Sequence, residues 1–560
     1  LTRVAVAGGL HGLRVSGGEA EVRELSLSEC DRGVVVAGGA LRLDGAGVPV
    51  GALEAGPGGR ASVGGSATGH AGPGVARRAL LAFVVATRDL PGFAAAYAGL
   101  YALAARAAVA LARRDAALAS VLAHRSWATG RWRAGTSDLD LVVVLRGLEG
   151  EEGWRRLSAL WRGFGRLRRL FPALGELLVL EPEDLAAYLR EGGPRGRVVL
   201  PAQARVLYGA PLPGVAPGPP PDAFERFGEK AHAYTRLMVR LADSGATPRA
   251  AATALASKAL EELGVAASPR APAELRDAGA RAMTAFHQEA LALLADLGGP
   301  TPPEATLTRR APPPALPGER RRFAAGLETL QARLDGALAA ACTDTLYRSY
   351  LVLEDEAFEP RRLSVLLERL AGAASPLPAA STVPVVLSWS AWTLWTRLPY
   401  LECPHLGAEL SGAAPGEAVV ARAGRAFAAA RRFAWSRRPL PGLRLDPETT
   451  ARRDRECLAT LRATWRFHAS PAGGHSPAYA LHYLYTRTMG LRLLLERGER
   501  VPFFELDEAA ARFRVHFPEE MTGWEQRWRA FPARLDAPEM AAHAAWLDRQ
   551  LRGSSRVPPK

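Results

Sequence analysis

The chain has 560 residues, 48% of them hydrophobic, enough to bury substantial cores across about three or four domains. Its formal charge is +14, but the excess is arginine: Lys230, Lys258 and Lys560 are the only lysines, and Ala, Gly, Pro and Arg are inflated together, as in a GC-rich, bacterial-like coding sequence. Arginine from that source spreads over a solvated surface, and groups as short as Arg320-Arg321-Arg322 and Arg431-Arg432 make no binding stripe, so nucleic acid is not indicated beyond diffuse basic charge.

Cys30, Cys342, Cys403 and Cys457 are scattered, without the spacing of a zinc site or the density of a disulfide framework, and read as thiols in a reducing compartment. The first residues alternate apolar residues with Gly and lack the continuous apolar run of a secretory signal, so a cytoplasmic location is expected. Residues 1–74 are Gly-rich, with short β-like runs such as Leu25-Ser26-Leu27-Ser28 and Val34-Val35-Val36. They read as a small β-rich unit or as a poorly ordered extension, and no internal repeat of fixed period stands out.

Residues 75–209 form the next unit, with a core at about 115–209. An Ala-rich helical stretch runs from Val75 through Arg88 and, after Pro91, from Gly92 to about Arg113. An α/β alternation follows: strands over Ser120–His124 and Leu139–Leu145, a helix over Trp154–Leu170, a strand over Glu176–Leu180, a short helix over Glu183–Glu191, a strand over Arg197–Leu200, and a closing strand Ala204–Gly209. Pro-rich segments at 210–222 and 298–318 read as linkers on either side of a helical domain, 223–297. Residues 319–560 read as mostly helical, broken near Ser375–Pro384 and at Pro439–Pro447. The uncharged stretch Thr382–Thr396 is short, interrupted by Pro384 and rich in Ser and Thr, which makes it a buried segment, so no membrane is expected among the partners. The fold class expected is α+β: a mixed β-sheet core with helices, then large, mostly α-helical regions.

One stretch carries chemistry: SWATGRWRAGTSDLDLVVVL, Ser126 to Leu145. Residues two apart on a strand share a face, so Asp138 and Asp140 present adjacent carboxylates while Leu139 and Leu141 face packing. Two such carboxylates repel unless a cation neutralises them, and hard oxygen ligands at this spacing suit Mg²⁺ together with substrate phosphates. The loop before them offers the Ser126 hydroxyl, backbone N–H groups and the cations Arg125, Arg131 and Arg133.

This pattern resembles the DNA-polymerase-β-like nucleotidyltransferase superfamily, above all its small-molecule branch such as the aminoglycoside nucleotidyltransferases, over about Asp115 to Gly209. The matching positions are Ser126, Gly130 and Ser137-Asp138-Leu139-Asp140. The resemblance implies a nucleotidyltransferase-like sheet with Asp138 and Asp140 as ligands of Mg²⁺ or Mn²⁺. It implies nucleotide contacts from Ser126, Gly130, Ser137, Arg125 and Arg131, and transfer of a nucleoside monophosphate from a nucleoside triphosphate to an unidentified acceptor hydroxyl with release of pyrophosphate. It also implies a third carboxylate on a neighbouring strand, for which Glu176 is the first candidate and Glu181 the second. The family's first glycine is Arg125 here, which either supplies a phosphate contact or marks a rearranged loop or a catalytically silent module of the same fold. A DxD glycosyltransferase fits less well, because there the apolar strand usually precedes the acidic pair.

Other features read as packing. His468, His475 and His482 share a region but no ligand spacing; Tyr483, Tyr485, Arg487 and Arg492 lie on a helix that either lines an acceptor cleft or is core; Trp389, Trp392 and Trp395 mark one packed face.

Overall fold

The structure, a computed structural model, describes strands between residues 4 and 67 and then residues 75–197, 202–210, 221–241, 249–299, 317–343, 349–370, 384–398, 418–422, 431–470, 477–499 and 506–554, apart from 268, 270, 444 and 533. The described residues are mixed α and β, mostly helical. The chain divides into two compact units, one within residues 1–83 and one over 84–244 and 249–560.

The Gly-rich segment is the β-rich unit of the two alternatives. Strands β1 (Val4–Val15), β3 (Leu25–Val36) and β5 (Leu53–Ala55) pair in parallel in one sheet. In a second sheet β2 (Glu19–Val22), β4 (Gly39–Leu43) and β6 (Gly59–Val63) are parallel, closed by the antiparallel β7 (Ser66–Ala67). The chain thus feeds two parallel sheets in turn. Val4 pairs with Leu25, Glu19 with Ala40 and Gly39 with Gly59, a coil of nearly constant length where no sequence repeat was legible. Such coils need only short β-formers separated by Gly, and the β-formers differ from coil to coil.

Two helices, α1 (Val75–Thr87) and α2 (Pro91–Ala112), lead to a four-stranded sheet. Its strands are β8 (Leu118–His124), β9 (Leu139–Leu145), β10 (Leu174–Leu180) and β11 (Ala204–Gly209), in the order β10-β9-β8-β11. β10 runs parallel to β9, and β8 antiparallel to both β9 and β11. Between them lie α3 (Arg125–Ala128), α4 (Gly150–Leu170), α5 (Pro182–Glu191) and α6 (Gly193–Arg197). Every residue of β9 is buried because both faces are covered. Leu139, Leu141, Val143 and Leu145 join the core with α2 and α4, while Val142 and Val144 join Leu185, Tyr188 and Leu189 of α5. The strand expected over Arg197–Leu200 is absent at Arg197, which ends α6 behind Gly193 and Pro194; residues 198–200 lie outside the described residues.

Helices α7 (Ala223–Leu241), α8 (Arg249–Glu262) and α9 (Pro272–Asp296) share one core with α10 (Pro317–Arg333), α11 (Pro360–Leu370), α12 (Trp389–Trp395) and a sheet. That sheet contains β12 (Leu338–Thr343), β13 (Ser349–Leu353), β14 (Pro384–Ser388), β15 (Ala418–Arg422) and β16 (Arg431–Ser436), ordered β14-β13-β12-β16-β15. Runs such as SYLVL and PVVLS are too short for periodicity to separate strand from buried helix. The uncharged stretch supplies β14 and α12, whose Trp392 and Trp395 are fully buried. The described helix long and apolar enough to cross a bilayer is instead α2, half of which packs through Tyr101, Ala104, Ala105 and Ala108 while Phe93, Leu100 and Leu103 are exposed. The bulk of both expected linkers, 211–220 and 300–316, lies outside the described residues.

The last helices return to the four-stranded sheet of β8–β11. These are α13 (Pro447–His468), α14 (Pro477–Arg497), α15 (Leu506–His516), α16 (Pro518–Arg529) and α17 (Met540–Ser554). Trp465 of α13 stacks on Trp154 of α4, ring centroids 6.0 Å apart. Tyr485 is buried, and its hydroxyl bonds Nδ1 of buried His543, whose Nε2 donates to the Ala530 carbonyl, both at 3.0 Å. Arg492 is held by Glu496, Glu520 and Gln550, so this helix is core at Tyr485 and Arg492. Tyr483 packs tilted against His468 with centroids 4.1 Å apart and lies under Arg487, while His475 lies outside the described residues.

Burial holds His543 below the ordinary histidine value. Its unfolded form takes up a proton near pH 6.5 and its folded form resists, so stability is expected to fall as pH drops below that value, by up to about 1.4 kcal/mol per pH unit. Denaturant melts at falling pH on wild type and His543→Gln check this: the variant should lose part of the slope, and identical slopes would refute the assignment.

Candidate active site

The acid pair stands where β9 begins. Asp138 is the exposed residue before the strand and Asp140, 8% exposed, its second residue. The parallel partner β10 carries Glu176, whose backbone N–H donates to Asp140 Oδ1 at 3.0 Å. A Cβ on Gly175 would sit 2.3 Å from Asp140 Oδ1 and 2.7 Å from the Asp138 Cβ, so glycine is what lets the two strand ends close on each other. Gly175→Ala is expected to force the carboxylates apart and to cost about 1–3 kcal/mol, read as a lower melting temperature. An unchanged melt would show that the strand ends yield freely.

Glu176 thus lies on the strand end that meets Asp140, and its carboxylate contacts Arg125 at 3.4 Å. Glu181, the second candidate, does not: it is buried at the other end of β10, accepting from Leu148 N at 3.0 Å and pairing with Arg466 and Arg552. Its chemistry is spent on holding helices.

The loop between β8 and β9 is pinned from α2. Tyr101 donates to the Ser137 carbonyl and stacks on Trp132, centroids 4.6 Å apart. Ser137 is buried and its Oγ accepts from Arg133 N at 3.0 Å, so it shapes the turn. Ser126 lies half-buried in the short helix α3. Gly130 has φ +73° with open space where a side chain would stand. Arg131 extends over the surface to Thr129 and to Gln203 before β11, at 3.3 and 3.4 Å.

Arg125 is the departure. It has φ +62°, a conformation natural to glycine that costs another residue about 1–2 kcal/mol. The backbone thus holds a glycine-like conformation under an arginine. Its NH1 reaches Asp140 Oδ2 at 3.3 Å and its NH2 reaches Glu176 Oε2 at 3.4 Å. One guanidinium bridges two strands.

Two basic neighbours went unnoticed in the sequence. Desolvation and then Asp140 raise the Asp138 carboxyl above the usual range, opposed by Lys258 of α8, Arg168 and Arg125. Arg133 of the loop also reaches Glu261 of α8 at 3.8 Å, so α8 flanks the site. The available signal was composition: Lys258 is one of three lysines among 71 basic residues. His124, opposite Asp140 in the β8–β9 register, is buried and held down to about 3 by desolvation and Arg125, so it is neutral near pH 7.

The carboxylates are the right donor type for Mg²⁺, but among the described residues no group of three or more His, Cys, Asp or Glu side chains converges as a ready cation site. Asp138 and Asp140 are of the right chemistry, whereas both Asp140 oxygens are engaged, by the Glu176 N–H and by Arg125, which stands between Asp140 and Glu176. No protein-family model, curated protein or solved structure matches the chain.

Proposed function

We propose that the four-stranded sheet and its loops form a nucleotidyltransferase site, in which an acceptor hydroxyl attacks the α-phosphate of a nucleoside triphosphate and pyrophosphate leaves. The observation that carries this reading is the placing of the Asp138–Asp140 pair at the start of β9, joined to the adjoining end of β10 through the Glu176 N–H, beside a loop with open backbone at Gly130. It agrees with the sequence resemblance in the order strand, loop, acidic strand, helix, acidic strand.

Asp138 and Asp140 would hold Mg²⁺ or Mn²⁺, which when bound supplies charge neutralisation for the phosphates. The acceptor oxygen bonds to phosphorus as the bond to the pyrophosphate oxygen breaks, and the hydroxyl proton passes to Glu176. Ser126, the Gly130 backbone and Arg131 would orient phosphate oxygens, and Lys258 on α8 would add positive charge near Asp138. A cytoplasmic location accords with this substrate.

The test is incubation with labelled nucleoside triphosphates and Mg²⁺ or Mn²⁺ across small-molecule, protein and RNA acceptors. Label transfer with pyrophosphate release is expected, and it should vanish in Asp138→Ala. Transfer that survives both Asp138→Ala and Asp140→Ala excludes this site. The Arg125 bridge favours a second reading, a silent nucleotide-binding module, which predicts nucleotide binding that depends on the same residues without transfer.

A further inference from the structure

We infer that α2 is the interface of a symmetric dimer, its outer face packing antiparallel against the same face of a second copy of this chain. From Leu90 to Ala105 the sequence has no charged residue. One face of α2 belongs to the core through Tyr101, Ala104, Ala105 and Ala108. The opposite face is apolar as well: Leu90, Phe93, Leu100 and Leu103 are 40–51% exposed, with exposed Ala96 and Gly99 between them. A helix that is apolar all round is normally covered all round, and this one is covered on a single side.

The exposed side complements itself. At about 100° per residue, Gly92, Ala96, Gly99, Leu100, Leu103 and Arg106 share one side of the helix. Asp89, whose side chain is 89% exposed, stands just before the helix, and exposed Arg106 lies about four turns further on. When two copies lie antiparallel with Asp89 facing the partner's Arg106, the same register sets Leu103 opposite Gly92, Leu100 opposite Ala95 and Gly99 opposite Ala96. Gly92 and Gly99 have open space where a side chain would stand, which leaves room for a leucine from the other copy. The two-fold axis repeats each of these contacts. A parallel pair would instead set Leu103 on Leu103 and Arg106 on Arg106, so size and charge both select the antiparallel one. A lipid surface calls for bulky anchors and a cationic border, whereas this face is largely alanine and glycine in its first half and has an acid at one end.

The interface is modest, so sedimentation velocity of the full chain is expected to show monomer and dimer exchanging in the micromolar range. Leu103→Arg should leave monomer throughout while melting like wild type, because position 103 is half exposed. Asp89→Arg and Arg106→Asp should each weaken the dimer at least about tenfold by setting like charges together, and the double variant should restore wild-type association. A merely structural role for either residue would not produce that rescue. Wild type that stays monomeric, a dimer indifferent to Leu103→Arg, or a double variant no tighter than the single ones would overturn the inference. So would a monomer that cosediments with phosphatidylserine vesicles through the same leucine, which would assign the face to a bilayer.

Discussion

Arg466→Met is expected to lower the unfolding free energy by about 3–5 kcal/mol, because it strands three buried carboxylates at once. Arg466 is buried on α13, with NH1 2.9 Å from Asp184 of α5 and NH2 3.2 Å from Glu181 and 3.0 Å from Asp548 of α17. Arg462, 2.9 Å from Asp184, and Arg552, 2.8 Å from Asp548, complete a cluster of three cations and three anions. Removing the central cation leaves Glu181, Asp184 and Asp548 desolvated with two guanidiniums at the margin. Urea melts at pH 7 provide the measurement, and a loss below about 1 kcal/mol would mean that Arg462 and Arg552 carry the charge balance alone. Arg462→Ala, at the more exposed margin, should cost far less.

Asp140→Asn is expected to reduce nucleotidyl transfer at least about 100-fold, the scale of losing one electrostatic contact to a reacting centre. The amide oxygen still accepts the Glu176 N–H, so the strand ends stay joined and the fold should survive. What disappears is the negative charge that Arg125 contacts and that the proposed ion would share. Initial rates at saturating nucleotide, with melting curves as a control, separate the two effects. Transfer within tenfold of wild type would remove Asp140 from the reacting centre.

The first sheet was legible because its elements announce themselves locally. Leu139–Leu145 and Ala204–Gly209 are strands over the residues expected, and Pro182–Glu191 begins within one residue of the expected helix. Asp138 and Asp140 were legible for the same reason, since a period of two alone places them together. Glu176 over Glu181 was not, because the choice turns on which end of β10 meets β9's opening and which meets Arg466. The five-stranded sheet was hidden in runs of five or six residues whose pairing is entirely non-local, such as Ser349 with Pro384. Lys258 came to the site through the packing of α8, a relation no spacing in the chain encodes.

The closure of the first sheet by α13 sets a timetable for biosynthesis. Asp184 and Arg466 lie 282 residues apart, so at about 5–20 residues per second the acid leaves the ribosome roughly 15–60 s before its counterion. Through that interval the α5 side of the sheet lacks its lid and Asp184 must stay hydrated, while the whole of residues 223–443 is made and can fold on its own core. A module made early in synthesis is then among the last to be sealed, which makes its nascent sheet a natural client for chaperones.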